Sequence, residues 1–480
     1  MKNNEVNFKY RDSHVVNFIL DNMKLEKIKV KVDYRLDNPD SIMASFKCRK
    51  EQYINFGSFV DQNKKFRIES ISDNNITYYS DDVHFVEFQN TYGERDFDGT
   101  IEMYNYYCRI NYEKEKIYHN YSEQSKRINK PVEGKRFIEF QIIEPYKIWD
   151  RFFLQDITEN NKESIVKVNK MFRFAIDDLE ISYYIKEIKH KTKSDAKYNE
   201  DGKKRVFFRI AESKDTNLGD NDFKSKLLEV FEELLSLISF VSSSRVDWLL
   251  YNFYGNKYQI WYLKSFQNQK IILSEKSNFI IDPHYLNAFL INSYKHLKEI
   301  DPHINLLIPI REYLSNKFAI YLEQHFLIIY IAFEKLSNDI SNWLFNNENI
   351  FDKVRFNKIR KEIKFFLKNN SNISLNIEEF KKIQEKLSEL NRTSLNRKLI
   401  ELFKHYEIPY EKGLDEKGHF KFLEFRDKYI HSPRDYDGEA LFDEYERVKK
   451  YFELLVLKLL DKNSLSHLHP DFKLKMEMYV

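Results

Sequence analysis

Two cysteines in 480 residues, Cys48 and Cys108, are too few for a disulfide framework or a cysteine-rich zinc site. Ten glycines and nine prolines argue against a glycine-rich phosphate-loop enzyme. Beside 40 phenylalanines and 32 tyrosines, they also argue against a disordered chain. Neither sign of charge dominates: 78 lysines and arginines face 75 acidic residues, a net charge of +3. A nucleic-acid site would therefore have to be a local patch rather than the whole surface. The longest apolar run, Phe326 to Phe333, falls far short of the roughly 20 residues a bilayer span needs. The opening Met1-Lys2-Asn3-Asn4-Glu5 has no apolar stretch, so no secretory signal and a cytosolic protein are expected.

What is present is core material: 42% hydrophobic and 16% aromatic residues. A chain this long exceeds one hydrophobic core, which predicts two or three domains. Up to about residue 215 the text favours strands. Lys27 to Tyr34 alternates with period two, as do Val83 to Phe88 and Phe137 to Ile142 less strictly. Tyr183 to Ile188 and Arg205 to Ile210 read as two strands joined by a charged loop, its lysine run at an exposed tip. From residue 221 the period changes. Phe223 to Val241 carries Leu227, Leu228, Phe231, Leu234, Leu235 and Ile238 on one broad face of a helix. Strand-like text returns at Val246 to Tyr262, and residues 283–300 read as helix again.

Beyond residue 308 the chain reads as helices over Phe318–Leu344, Phe351–Leu367, Ile377–Leu390, Ser394–His405, Phe420–Ile430 and Gly438–Leu460, the last with Asp437 as N-cap. In the second of these, Val354, Ile359, Ile363 and Phe366 form the expected inward set. The expected class is an α+β multidomain chain. A β-rich N-terminal domain, sandwich or barrel-like, spans 1–215, a mixed connecting subdomain 216–307, an all-α helical bundle 308–465 and a tail 466–480.

One stretch suggests chemistry: Phe425-Arg426-Asp427-Lys428-Tyr429-Ile430-His431-Ser432-Pro433. A guanidinium holds a phosphate with a planar fork of donors. An imidazole moves a proton near neutral pH. Five residues apart on a helix, the two are rotated by about 140° and do not share a face. Pro433 disfavours helix at Ser432, so the helix is expected to end near His431 and let the imidazole turn into the arginine's pocket. Arg434 follows in the loop as a further phosphate-holding candidate. Asp427 could orient the histidine, Tyr429 could contact RNA or pack, and Glu334 could reach the site from the opening helix. The plainer reading is a histidine that is welcome as positive charge at a helix C-terminus.

The motif resembles that of the HEPN superfamily: arginine, a polar residue, then histidine after four to six positions. The likeness extends over about 310–462, with Phe326 to Leu336 similar to the apolar first helix of ApeA-like HEPN proteins. The order of a β-rich domain before the bundle is also theirs. Asp427 departs from the asparagine or histidine frequent at that place. The resemblance implies a metal-independent, cofactor-free endoribonuclease of anti-phage defence. Arg426 and His431 would be catalytic, the product ends a 2′,3′-cyclic phosphate and a 5′-hydroxyl. It also implies a homodimer through the bundle and restraint by the N-terminal domain until a phage component appears. RNA fits because it carries its own nucleophile, the 2′-hydroxyl. The alternative is a non-catalytic HEPN module that binds nucleotide, RNA or protein, its arginine–histidine pair structural. A third reading is a sugar-binding β-sandwich using its tyrosines.

Residues 353–368 hold seven basic groups and one acidic. Lys353, Arg355, Lys358, Arg360, Lys361 and Lys364 are the candidates for an RNA-backbone patch, against a merely solvated face. Asp96-Phe97-Asp98-Gly99-Thr100 resembles the nucleophile motif of haloacid-dehalogenase-like phosphatases. Without an apolar strand before it, it is expected to be a turn. Gly413 to Gly418 has a phosphate-loop spacing but no lysine and hydroxyl to follow, and His467 and His469 lack partner ligands in sequence.

Overall fold

The computed structural model describes residues 9–20, 23–35, 42–49, 66–70, 76–89, 96–103, 105–111, 136–143, 155–160, 164–190, 204–214, 216–264, 279–316, 319–346, 349–370, 375–387, 391–431, 437–461 and 463–480. The chain divides into two compact units. The first comprises Met1–Leu235 and Val246–Lys276, the second Ser236–Arg245 and Ser277–Val480. The segment 216–307 is thus shared between them. Among the described residues no helix is long and apolar enough to cross a membrane.

The first unit is a single antiparallel sheet. Its strands are β1 (Lys9–Leu20), β2 (Met23–Arg35), β3 (Ile42–Arg49), β4 (Phe66–Ser70), β5 (Ile76–Gln89), β6 (Asp96–Met103) and β7 (Asn105–Asn111). They continue with β8 (Phe137–Ile143), β9 (Gln155–Asn160), β10 (Ser164–Ile176), β11 (Leu179–His190), β12 (Lys204–Glu212), β13 (Asp247–Tyr254) and β14 (Tyr258–Lys264). The order is β4-β1-β2-β3-β6-β5-β7-β14-β13-β8-β12-β11-β10-β9, and β4 also pairs with β5. That extra pairing closes six strands into a hydrogen-bonded ring, which leaves those strands no open edge. Each contributes to one core: Val16 and Phe18, Ile28 and Val30, Ile42, Ala44 and Phe46, Ile68, Val83, Ile101 and Met103 are all buried. Period-two patterning explains the sides: Ile28 and Val30 point in while Lys29 and Lys31 are exposed.

Asp96–Thr100, expected as a turn, lies within β6. Gly99 faces Phe46 on one neighbour and Phe88 on the other in the register. The strand is set by the alternation running on to buried Ile101 and Met103, which outweighs the local turn residues.

Helix α1 (Asp220–Val241) covers the other part of the sheet up to Leu235. Its Phe231 stacks on Phe140 of β8, and Trp248 of β13 packs edge-on to Phe140. Arg136, just before β8, fixes the approach to this helix. Its guanidinium grips Glu212 with two bonds of 2.9 and 2.6 Å and donates to the Leu218 carbonyl at 2.6 Å. Asp220 then accepts from the backbone of Asn256 at 3.2 Å and of Lys257 at 2.9 Å in the β13–β14 turn. Gly255 sits against this anchor: a methyl there would come within 2.6 Å of the Asp220 carboxylate and 2.8 Å of the Phe253 ring. Gly255→Ala is expected to destabilise the first unit by about 1–3 kcal/mol, as overpacking does. Denaturant unfolding followed by Trp248 fluorescence measures it, and an unchanged midpoint would refute the clash.

The second unit is helical. After the end of α1 come α2 (Leu286–Ile304), α3 (Leu307–Ser315), α4 (Leu322–Phe345), α5 (Lys353–Asn369), α6 (Ile377–Leu387), α7 (Leu395–Tyr406), α8 (Lys421–His431), α9 (Gly438–Leu460) and α10 (Pro470–Tyr479). Side chains start several of them. Asp437 accepts from the Glu439 amide at 2.9 Å, and Asp352 from those of Val354 and Arg355, both at 2.9 Å. Residues 466–480, read from sequence as a tail, carry α10, with His469 as N-cap and Pro470 in its first turn.

The longest helices, α4 and α9, pack together at the centre. Phe333, Phe403, Phe420, Phe422 and Tyr451 meet there in edge-on and stacked pairs. Deeper still is a polar chain. Tyr313 donates to Glu453 at 2.5 Å, leaving Ser243, 3.0 Å away, as donor to Tyr313. Lys450 donates to the other Glu453 oxygen at 2.5 Å. Burial alone would raise the Glu453 carboxyl, but Lys450 and Lys449 overturn that and hold it below the usual carboxylate range.

Candidate active site

Helix α8 carries the arginine–histidine pair, with His431 in its last described turn. Its start is fixed by Asn396, whose side chain accepts from the Phe420 amide at 2.9 Å and donates to the Gly418 carbonyl at 3.2 Å. Phe422 then buries its ring against Tyr330 and Phe333 of α4 and Tyr451 of α9. Arg426 lies one turn further on the same face as Phe422. It is half-buried, and its guanidinium sits 5.8 Å over the Tyr330 ring. A cation held on an aromatic face keeps its orientation. Glu334 is half-buried one turn beyond Tyr330 on the same face of α4.

The backbone of Asp427, Tyr429 and His431 belongs to α8, but their side chains, and Arg434 altogether, lie outside the described residues. The structure thus brings Arg426 to α4 and places the His431 backbone in the last described turn of α8.

The basic candidates all fall on α5. Lys353, Arg355, Lys358 and Lys361 are exposed, Arg360 and Lys364 half-buried, and Lys368 joins the exposed set. No residue of α5 is buried. The expected inward set needs correction: Val354 is 68% exposed and Phe366 56%. Nine residues separate Val354 from Ile363, about half a revolution, so that set mixed two faces. The half-buried row is Phe356, Ile359, Ile363 and Leu367. At the base of α5 the Asn391 amide accepts from the Phe351 N–H and donates to its carbonyl, both at 2.8 Å.

A polar constellation at the start of α4 escaped the sequence reading. His325 is half-buried with Nδ1 3.1 Å from the Asn316 amide oxygen, and Asn316 donates to the Tyr445 hydroxyl at 3.3 Å. Lys449 stands 5.8 Å from the Tyr445 ring. Burial and then Lys449 push the His325 imidazole below its usual range, so it is neutral at pH 7. Its members come from three segments, with Asn316 and Tyr445 129 residues apart. No spacing signature marks them.

Among the described residues no cluster of three or more His, Cys, Asp or Glu side chains is arranged to hold a metal ion. Comparison of the chain with protein-family models, curated proteins and solved structures finds no match.

Proposed function

We propose that the helical unit is a HEPN-type endoribonuclease that cuts RNA without a metal, with Arg426 and His431 as its catalytic residues. The observation that carries this reading is the setting of the motif. A half-buried arginine is held on Tyr330 in the helix that also carries the histidine, which supports phosphate capture and proton transfer from one element. The RNA 2′-hydroxyl attacks the adjacent phosphorus. The new 2′-oxygen–phosphorus bond forms as the phosphorus–5′-oxygen bond breaks. His431 takes the hydroxyl proton or returns one to the departing 5′-oxygen. Arg426 balances the charge on the phosphoryl oxygens. The ends are a 2′,3′-cyclic phosphate and a 5′-hydroxyl. Two bundles meeting in an isologous homodimer would pair two such sites. The β-rich unit restrains the activity until a phage-derived signal relieves it, since an unrestrained tRNA or mRNA nuclease would kill its cytoplasmic host.

The Arg426–Tyr330 contact also favours the second reading, in which the pair only packs and the bundle is a binding module. The experiment maps 2′,3′-cyclic phosphate ends across tRNA and mRNA in cells expressing the chain, with and without phage challenge. New ends that vanish with His431→Ala are expected. No new ends in either condition would leave the binding module and end the nuclease reading.

A further inference from the structure

Helix α5 has an outward face that its packing leaves mostly uncovered, among the described residues only Lys368 at its end reaching a ring, that of Phe380 in α6 at 5.5 Å. Val354, Lys358, Lys361, Phe365 and Lys368 recur at intervals of four, three, four and three residues, and all are exposed. At about 100° per residue they fall within an arc of about 80° and along about 21 Å of helix. Val354 is 68% and Phe365 67% exposed, on the side opposite the half-buried row Phe356, Ile359, Ile363 and Leu367. An exposed aromatic ring flanked by lysines is costly to leave in water and is not required by the fold. Phe366 (56% exposed) and Arg355, whose guanidinium lies 4.9 Å over the Phe351 ring, stand between this stripe and the half-buried row.

The geometry points to single-stranded RNA as the occupant of this face, its phosphates on Lys358, Lys361 and Lys368 and an unpaired base stacked on Phe365. This rests on the reading of the helical unit as acting on RNA, and adds to it which form of RNA is held. Charge complementarity selects a polyanion: residues 353–368 hold seven basic groups and one acidic. The same charge opposes a second copy of the chain, since an isologous contact would set lysine against lysine. A bilayer is a poorer fit, because an interfacial helix buries one continuous apolar face. Here the continuous apolar row is the half-buried one, while the outward face alternates ring or methyls with ammonium. Between forms of RNA the ring decides. A duplex hides its base faces, whereas a single strand offers a π-face at every nucleotide. The contact would tolerate any sequence, as stacking on a ring does.

The test is direct binding by the full chain, read by fluorescence anisotropy with a 2′-O-methyl oligoribonucleotide. Lacking the 2′-nucleophile, this probe cannot be cut, so the result does not depend on catalysis. Phe365→Ala is expected to weaken binding of the single strand about 10- to 100-fold and leave binding of the matched duplex unchanged. The triple variant Lys358→Ala, Lys361→Ala, Lys368→Ala should lower the salt dependence of the single strand by about two in log–log slope. All four side chains are exposed, and matching melting curves establish that the variants fold. Equal affinity of wild type and Phe365→Ala for the single strand would overturn the proposal even if the chain cuts RNA. So would preference for the duplex, or binding to phosphatidylserine vesicles in place of RNA. Conversely, loss of binding in Phe365→Ala with no cleavage by wild type either with or without phage challenge would keep this face and discard the nuclease.

Discussion

His431→Ala is expected to slow RNA cleavage by the purified chain about 10²- to 10⁴-fold, the usual weight of a positioned proton-transfer group. Arg426→Ala should cost about 10²- to 10³-fold, as removal of one charge-stabilising donor does. Arg426→Lys should fail to restore the rate. A lysine is a point charge on a flexible stem and lacks the planar fork that both covers Tyr330 and grips a phosphate. Double substitution should be little worse than the worse single one, because residues acting as a unit are not additive. The competing outcome is equally concrete. If Arg426→Ala lowers stability by about 0.5–2 kcal/mol, the value of a cation–π contact, and neither variant changes any cleavage rate, the pair is architectural. Single-turnover rates against pH separate the two further. The wild type should show a limb that His431→Ala lacks, and superimposable profiles would remove the histidine from the chemistry.

The elements whose local rules agree with their packing were legible in the sequence. Helix α9 runs Gly438–Leu460 under an Asp437 cap, as read, because cap, period and burial all point the same way. Helix α8 is described over Lys421–His431, where the sequence reads as helix from Phe420 to Ile430. Where one rule was used alone it failed. The Asp-Gly pair within Asp96–Thr100 signals a turn, yet pairing with β3 and β5 on both sides makes it strand. On α5 the apolar residues stand on two faces, and only packing shows that Ile359 and Ile363 are the half-buried ones and Val354 is not. The β4–β5 closure and the His325–Asn316–Tyr445 chain join residues distant in sequence, for which short-range patterns hold no information. The arginine and histidine of the candidate site were legible because both belong to one helix. Tyr330, which orients the arginine, was not, since it arrives from another.

Glu212→Ala is expected to destabilise the first unit by up to about 3–5 kcal/mol, because it leaves the buried Arg136 guanidinium with only the longer ion pair to Asp220, 3.5 Å away. Arg136 and Glu212 are 3% exposed each, at the junction where β8, β12 and the entry to α1 meet. Burial alone would raise the Glu212 carboxyl. The hydrogen bonds from Arg136 and from the Thr216 amide and hydroxyl outweigh it and hold the pKa down at about 2. In the unfolded chain the same carboxyl titrates near 4.3, as glutamates do. The folded form therefore binds fewer protons, and the pair's contribution is complete above about pH 4.3 and drains away as pH falls toward 2. Denaturant midpoints measured from pH 7 to pH 2 should show a steep acid limb in the wild type. Glu212→Gln, which keeps the shape and loses the charge, should begin lower at pH 7 and fall less across that window. Parallel curves for the two proteins would mean that the pair is neutral to folding. Replacing both partners separates the cost of an orphaned charge from the worth of the pair. A double variant Arg136→Met, Glu212→Leu that recovers most of the loss would assign the pair to fixing where α1 begins rather than to stability as such.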